Sequence, residues 1–402
     1  MKRRLLLLFS LVLALLLPLT SLAEGLTLRT VSIFAGADAA ADTYTRLLKE
    51  WEEKTGNRVS DTSTPSNEEW KTGVLLDFAA GNEADVLFYF VGTADSAPIL
   101  SRVVSVAEIN AAYPELQLPE SELCREADGS VYAIPVREYW EGLFCNKDLF
   151  DRYELELPTT WEKLETAIAR FREEDIVPIS VSLSDIPHYL AEFAILVSGP
   201  VEDYMKRPQR IEDVPPSFYT GMELIHRLYG LGAFAPNVSS TDEAAASQLF
   251  RDKKAAMQID GSWFANTLPE SSMDTTVVMP MPPYSADADP TAYIGGVSMG
   301  FYLTRRAWED PQRRDAAVSL LAMLTRAENR RRLAGGQLSG RLLSSVEALT
   351  DESHRMLSPL QDAMNKDARE RWLLECIAPI ADGSMTAREC WEQVMALSPF
   401  EE

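Results

Sequence analysis

The chain has 402 residues, of which 46% are apolar and 9% aromatic, and its formal charge at pH 7 is −23. This length predicts two or more domains, and the apolar content excludes wholesale disorder. The strong negative charge disfavours nucleic acid and anionic lipid surfaces as partners.

The N-terminus has the pattern of an export signal. Basic residues at 2–4 precede an apolar run at 5–17, and small residues at 21 and 23 suit cleavage after Ala23. We predict that 1–23 is a signal peptide, and retention as an anchor is the alternative. The mature chain is then exported, to the periplasm or to the cell surface.

Five elements follow in the first third of the chain. They are a strand at 26–34, a helix at 39–55, a strand at 58–62, a helix at 68–80 and a strand at 84–91. The first helix places Tyr44, Leu47, Leu48 and Trp51 at helical spacing. Alternation of strand and helix predicts a mainly parallel sheet that is covered by helices.

The stretch 132-YAIPVREYWEGLFCNKDLF-150 is the most unusual segment of the sequence. Its apolar parts predict strands at 131–136 and 143–145, and two rings and three charges at 137–141 separate them. Large rings just past a strand end, rather than on a helix face, are typical of a cleft mouth.

A second α/β unit spans about 139–283. It comprises helices at 161–174, 187–197, 216–231 and 242–251, and strands at 178–183, 255–259 and 275–281. A loop and a strand with paired glycines occupy 284–304. Only helices are predicted after that strand, and the clearest of them spans 312–334.

Cysteine and histidine spacing argues against a metal site. The four cysteines form no C-x-x-C pair, and the three histidines, His188, His226 and His354, lie far apart. We predict neither a metal nor a cofactor. Whether Cys124, Cys145, Cys376 and Cys390 are free thiols or paired stays open.

One hydrolase motif is present. Gly296-Val297-Ser298-Met299-Gly300 matches the G-x-S-x-G nucleophile elbow, which requires a strand, a sharp turn at the serine and then a helix. Here an apolar strand continues after the motif, and His354 is the only histidine that follows. A secreted hydrolase is therefore the least favoured function.

Several rings fall at strand ends or element starts rather than in mid-helix. They are Trp70, Tyr89, Phe90, Tyr139, Trp140, Trp263, Tyr293 and Trp372. Aromatic faces suit the C–H faces of sugars, and carboxylates and arginines hydrogen bond to the hydroxyls.

Five segments carry motifs that occur together, in this order, in one known family. They are YAIPVREYWEGLFCNKDLF at 132–150, PTTWEKLETAIARF at 158–171, AAMQIDGSW at 255–263, IGGVSMGFYLT at 294–304 and ADGSMTARECWEQV at 381–394. On these motifs the chain resembles the family 1 extracellular solute-binding proteins, the maltose-binding type that serves ABC importers. The cysteine that anchors many members to lipid is absent here.

The resemblance implies an α/β fold of the two-lobed, type II periplasmic-binding-protein kind. Each lobe would hold a mainly parallel sheet flanked by helices, and hinge crossovers would join the lobes. Lobe 1 would comprise 24–136 and 294–351, and lobe 2 would comprise 137–293 and 352–402. Closure of the lobes would trap the ligand without a covalent step.

The resemblance also implies the ligand contacts. The expected stacking rings are Tyr139, Trp140, Trp263 and Trp372. Lobe 1 would add Phe34, Tyr89 and Phe90, and Gly295 and Gly296 would allow close backbone approach. The expected hydroxyl partners are Glu138, Glu141 and Arg341.

The implied function is capture of a sugar or oligosaccharide for import, without catalysis. The implied partners are a carbohydrate and the permease subunits of an ABC importer, and the protein is expected to be a monomer. The alternative within the same fold is a non-sugar solute such as a polyamine, peptide or polyol, which an acidic cleft with few rings would favour.

Overall fold

A computed structural model describes residues 25–400, except 37, 66–67, 93–95, 127 and 336–337. The predicted signal peptide lies outside the described residues. Nine strands are present in the described part: β1 Thr27–Val31, β2 Arg58–Asp61, β3 Val86–Phe90, β4 Ile134–Asn146, β5 Val177–Ser180, β6 Ala255–Gly261, β7 Thr276–Met279, β8 Ala292–Leu303 and β9 Arg355–Leu357.

Helices cover the strands. In chain order they are α1 Ala41–Thr55, α2 Glu68–Ala80, α3 Val106–Ala112, α4 Lys147–Arg152, α5 Trp161–Glu173, α6 His188–Leu196, α7 Val201–Tyr204, α8 Pro216–Gly230, α9 Glu243–Arg251, α10 Ser262–Ala265, α11 Glu270–Met273, α12 Arg305–Glu309, α13 Arg314–Leu324, α14 Ala327–Leu333, α15 Gly340–Leu349, α16 Lys366–Glu370, α17 Ile377–Asp382 and α18 Ala387–Met395. Short 3₁₀ turns span Ala97–Arg102, Glu122–Cys124, Ile211–Asp213, Val238–Ser240 and Leu360–Ala363, and a π-helical turn spans Arg371–Cys376.

The strands are connected in the order β2-β1-β3-β8-β4-β6-β5, with β7 on β4 and β9 on β8. The outer pairs β1–β2, β1–β3 and β5–β6 are parallel, as the strand–helix alternation predicts. The pairs that β4 and β8 make with β3, β6, β7 and each other are antiparallel. The sheet is thus mixed rather than mainly parallel, because the two connecting strands run against all their neighbours except β9, which is parallel to β8.

The helix that follows β1 illustrates how the sequence specifies these units. In α1 the predicted face, Tyr44, Leu47, Leu48 and Trp51, is buried. Gly56 ends the helix with φ 75°, in the left-handed region that glycine adopts without a Cβ clash. In α5, Thr160 caps the first turn, because its side chain accepts from the Lys163 amide.

β4 is one strand of 13 residues, not the two short strands predicted from the apolar runs. Its polar middle pairs with β8, so that Glu138, Tyr139 and Trp140 lie opposite Val297, Gly296 and Gly295. Backbone pairing holds these residues extended despite their polarity, since strand hydrogen bonds do not depend on apolar side chains. The register shifts on either side of Arg137.

Two apolar cores flank this pair of strands. The first core is built from residues between Leu28 and Val136 and between Val297 and Leu333. The second core is built from residues between Leu143 and Ile294 and between Leu357 and Phe400. A smaller cluster around Trp140 and Phe144 adjoins the second core.

The packing departs from the predicted boundary of lobe 1 in one place. The helix α15 lies within 294–351, yet Leu342, Val346 and Leu349 pack in the cluster of Trp140 and Phe144. The Val278 amide of β7 also donates to Ser345 Oγ at 3.0 Å. Residues 340–349 therefore associate with the second core.

The C-terminal part differs from the sequence prediction in two further ways. The helix predicted at 312–334 is divided into α13 and α14, because the chain leaves the helical conformation at Thr325 and Arg326. The short strand β9 pairs parallel with β8, so the tail is not exclusively helical. The four cysteines are buried free thiols, and none of the described helices is long and apolar enough to span a membrane.

Close helix packing in the second core gives a test of the fold. A Cβ on Gly221 of α8 would lie 2.8 Å from the backbone N and Cα of Ile195 in α6. We expect Gly221→Ala to lower the free energy of unfolding by about 1–3 kcal/mol, because two backbones must separate. Urea denaturation measures this change.

Gly230 provides the matched control in the same helix. A Cβ there would meet nothing within 4 Å. Gly230→Ala is expected to be neutral or stabilising by up to about 1 kcal/mol, from helix propensity alone. Equal effects of the two substitutions would contradict the packing of α6 on α8.

Candidate ligand-binding cleft

A cavity of about 500 Å³ lies where β4 and β8 pass between the two cores. The side of the first core contributes Phe90, Val91 and Gly92, together with Glu122, Leu123 and Arg125. The second core contributes the first turn of α6, Trp263 of α10 and the segment 356–362. The middle of the two connecting strands forms the inner surface, so the cavity opens between the cores.

Alternation along β4 directs its side chains to two sides. Tyr139 and Glu141 line the 500 Å³ cavity. Glu138 and Trp140 line a second cavity of about 690 Å³, to which the Tyr139 ring also extends. Successive strand residues point to opposite faces, so only Tyr139 and Glu141 of this run face the first cavity, which we call the cleft.

Three rings form one wall of the cleft. The ring centroids of Tyr139 and Trp263 are 6.0 Å apart, and those of Tyr189 and Trp263 are 5.4 Å apart, with interplanar angles of 35° and 32°. Gly296 lies opposite Tyr139, and a Cβ there would be 3.2 Å from the tyrosine ring. The absence of a side chain at this position leaves room for the ring.

Four carboxyl groups lie at or behind the inner end of the cleft. They are Glu141, Glu192, Asp260 and Asp362. Glu141 is 3% exposed, and its Oε2 has no hydrogen-bond partner among the described residues. Burial, reinforced by the other three carboxylates, raises the pKa of Glu141 well above its usual 4.5.

Glu192 holds the Leu360–Ala363 turn at the inner end of the cleft by hydrogen bonds. Its Oε1 accepts from the Gln361 amide at 2.9 Å, and its Oε2 accepts from the Leu360 amide at 2.9 Å and from the Tyr204 hydroxyl at 2.6 Å. Burial raises the pKa of Glu192 to about 7 despite these bonds. The side chain thus connects α6 to the Leu360–Ala363 turn.

Two more titratable groups, Asp260 and His188, affect the charge at the inner end of the cleft. Burial raises the pKa of Asp260 to about 6, against hydrogen bonds from the Gly261 amide and Gln258 Nε2. Burial lowers the pKa of His188 to about 4, so its imidazole is neutral at pH 7. The inner end of the cleft therefore contains carboxyl groups and a neutral imidazole.

Comparison with known proteins decides the family. Residues 37–331, more than half of the chain, match the family described as bacterial extracellular solute-binding protein. The chain is a bacterial extracellular solute-binding protein. This confirms the resemblance found in its motifs, and membership of an extracellular family makes it an exported protein.

One curated relative is the melibiose/raffinose/stachyose-binding protein MelE of Bacillus subtilis (strain 168). It is 22% identical over 237 residues, which are 57% of this chain and 54% of MelE. The chain thus matches about half the length of that relative.

Solved structures show the fold. A chitin oligosaccharide binding protein superposes with a TM-score of 0.75 at 18% identity, over 92% of this chain and 98% of that one. The protein RafE in complex with raffinose gives 0.70 at 13% identity, over 92% and 98%. This solute-binding protein therefore has the two-lobed α/β architecture that its sequence predicts.

Six of the predicted ligand contacts lie together in the cleft of this solute-binding protein. They are Phe90, Tyr139, Glu141, Trp263, Gly295 and Gly296. Glu138 and Trp140 lie on the second cavity instead, because strand alternation turns them away.

The other four predicted contacts line neither cavity. Phe34 is 3% exposed and packs on Phe88 at 4.6 Å, with the Arg137 guanidinium over its ring. Tyr89 is fully buried against Trp70, because it points opposite to Phe90. Trp372 is fully buried in the second core. Arg341 is exposed, and its Nε donates to the Asp274 carbonyl.

Sequence reasoning missed several residues of the cleft. They are His188, Tyr189, Met356, Pro359, Gln361 and Asp362. Tyr189 had a usable signal, since it occupies the first turn of a helix that follows a proline. The segment 356–362 had none, because its role follows from the long-range bonds of Glu192.

The hydrolase motif lacks the required geometry. Ser298 lies within β8, where its hydroxyl donates to the Arg137 carbonyl at 3.2 Å, and there is no turn at the serine. His354 Nδ1 donates a hydrogen bond to the Leu349 carbonyl at 2.9 Å. Within the described residues, no group of three or more His, Cys, Asp or Glu could hold a metal ion.

Proposed function

We propose that this solute-binding protein captures a sugar or oligosaccharide in the cleft and delivers it to an ABC importer. The observation that supports this most strongly is the wall of Tyr139, Trp263 and Tyr189 beside the unpartnered carboxyl of Glu141. Capture requires no covalent step, and the protein acts by binding rather than by catalysis.

The chemistry of the cleft suits a pyranose ring. Indole and phenol faces accept the C–H face of a sugar, and burying that face removes apolar surface from water. Glu141 and the neighbouring carboxyls offer hydrogen-bond partners to groups at the ring edge.

The names of the relatives point in the same direction. MelE is a melibiose/raffinose/stachyose-binding protein. Among the structural neighbours, one binds chitin oligosaccharides and another was solved with raffinose. We transfer the ligand class, a saccharide, and leave the individual sugar open.

Capture would proceed by rotation of the two cores about β4 and β8. A ligand that contacts Phe90 on one side and Trp263 on the other binds both cores only when they approach. The ligand therefore stabilises the closed arrangement by its differential affinity for it. The importer would then recognise the closed, monomeric protein at the periplasmic or cell-surface side of the membrane.

A test of the ring wall is Trp263→Ala. We expect ligand binding to weaken by about 1–3 kcal/mol, the scale of a lost aromatic contact, with the fold intact. Isothermal titration calorimetry measures the change. Trp161→Ala is the matched control, since Trp161 is also half-buried but packs against Tyr284 away from the cleft. Unchanged affinity in Trp263→Ala would remove this ring from the site.

The ligand class can be tested first by thermal shift. A ligand that binds only the folded protein raises the melting temperature, by an amount that grows with the logarithm of its concentration above the Kd. We expect at least one member of a panel of mono- and oligosaccharides to raise it. Stabilisation by peptides, polyols or polyamines and by no saccharide would overturn the proposal.

A further inference from the structure

We propose that the inner end of the cleft selects saccharides that carry a protonated amino group, held between the Glu141 carboxylate and the rings of Tyr139, Tyr189 and Trp263. This inference deepens the proposed function and rests on it. It concerns the chemical class of the ligand, which the family does not specify.

The first step is the isolation of Glu141. Its carboxyl is 3% exposed, its Oε2 is unpartnered, and it makes no ion pair with an arginine or lysine of the described chain. A buried charge without a partner is costly, and a cationic ligand group is the partner that removes this cost.

The second step is the charge around that carboxyl. Asp260 faces it from β6, Glu192 from α6 and Asp362 from the Leu360–Ala363 turn. The hydroxyls of Tyr139, Tyr189 and Tyr204 also lie near Glu141, and His188 adds a neutral imidazole. Three cations also belong to this region: Arg125 lines the cleft from the side of the first core, Arg207 lies beside Glu192 and Asp362, and Arg369 lies beside His188.

The third step is the ring wall. The same three rings that suit a sugar also present negative π faces, which attract an ammonium group within about 6 Å of a ring centroid. Carboxylate on one side and aromatic faces on the other form a site for one positive charge. A neutral hydroxyl at this position would leave an ionised Glu141 carboxylate without a counter-charge.

Proton linkage gives the inference a signature. Burial and like charges raise the pKa of Glu141, which favours a bound proton on its carboxyl when no cation is present. An ammonium group would displace that proton. Binding of an amino saccharide is therefore expected to release protons and to tighten between pH 5.5 and pH 7.5, whereas a neutral saccharide has no such dependence.

The experiment compares ligands that differ only in this group. Calorimetry is performed with glucosamine, galactosamine and the β-1,4-linked glucosamine trimer, each against its N-acetylated and its neutral hydroxyl counterpart. We expect the amine to bind at least about 10-fold more tightly than both counterparts in one or more of these sets. The heat of binding is expected to vary with the ionisation enthalpy of the buffer.

Variants assign the effect to the site. Glu141→Gln removes the charge and keeps the shape, and its fold should survive because Oε2 has no partner to lose. We expect a loss of about 10- to 100-fold in affinity for the amine and a smaller loss, of less than about 10-fold, for its neutral counterpart, because an amide still hydrogen bonds to a hydroxyl but no longer pairs with a cation. Glu223→Gln, at an exposed position of α8, makes the same charge change outside the cleft and is expected to have no effect.

The outcomes separate the two proposals. Tighter binding of a neutral or N-acetylated saccharide, or equal loss of amine and hydroxyl binding in Glu141→Gln, overturns the amine inference and leaves the saccharide function standing. If spermidine binds and no saccharide in the panel binds, both proposals are overturned. Binding of no member of the panel also overturns both.

Discussion

Replacing Trp372 with alanine is expected to lower the free energy of unfolding by about 3–5 kcal/mol, the usual cost of truncating a large buried ring. The side chain is fully buried, lies 5.5 Å from the Trp391 ring and donates its Nε1–H to Met222 Sδ at 3.5 Å. Urea denaturation followed by tryptophan fluorescence measures the loss.

The same variant should bind ligand normally at a temperature where it is folded. Trp372 lines neither cavity, whereas Trp263 lines the cleft. The two tryptophans are therefore expected to give opposite profiles, with stability lost in Trp372→Ala and affinity lost in Trp263→Ala. A large loss of affinity in folded Trp372→Ala would show that the sequence-based assignment of this ring was right.

The protein is expected to be more stable at pH 5.5 than at pH 8, by about 2–4 kcal/mol. The pKa of Glu192 rises from 4.5 to about 7 on folding, and the pKa of Asp260 rises from 3.8 to about 6. A group with a raised folded pKa stabilises the protein fully below its unfolded pKa and loses that contribution as the pH passes its folded pKa. For Glu192 alone the loss between pH 5.5 and pH 8 is about 2 kcal/mol, out of about 3 kcal/mol for its whole titration.

His188 acts in the opposite direction. Its pKa falls from 6.5 to about 4, so its contribution is lost as the pH drops through that range. The three carboxyls Glu141, Glu192 and Asp260 contribute more to this pH dependence than the one imidazole. The free energy of unfolding is therefore expected to fall as the pH rises from 5.5 to 8. Urea titrations across this range measure it, with Glu141→Gln as the variant in which the slope becomes shallower. Stability that rises towards pH 8 would contradict the buried carboxyl cluster.

Local patterns predicted the elements well. The apolar spacing of α1 and the alternation of strand and helix both reflect short-range preferences, and the tertiary structure preserves them. The prediction was wrong where long-range pairing governs conformation. The polar middle of β4 is a strand because Gly295 and Gly296 of β8 lie opposite it, and that pairing is about 155 positions distant in the sequence.

The candidate site was predictable only in part, for the same reason. Phe90, Tyr139, Glu141 and Trp263 could be found because rings and charges stood at the ends or in the middle of strands. Tyr89 could not be separated from Phe90 without knowing which face of β3 meets the first core. The segment 356–362 enters the cleft through hydrogen bonds to Glu192, about 170 positions earlier, and no local pattern encodes that contact.

The pairing of β4 with β8 also determines how the two halves can swing. Two strands that share a hydrogen-bonded ladder form a twisted ribbon. The ribbon bends out of its plane more readily than one strand slides along the other, because sliding breaks the hydrogen bonds. The irregular register around Arg137 and the paired glycines opposite Tyr139 and Trp140 are its softest points. A rotation about these points would bring Phe90 and Trp263, which line opposite sides of the cleft, toward each other over Tyr139.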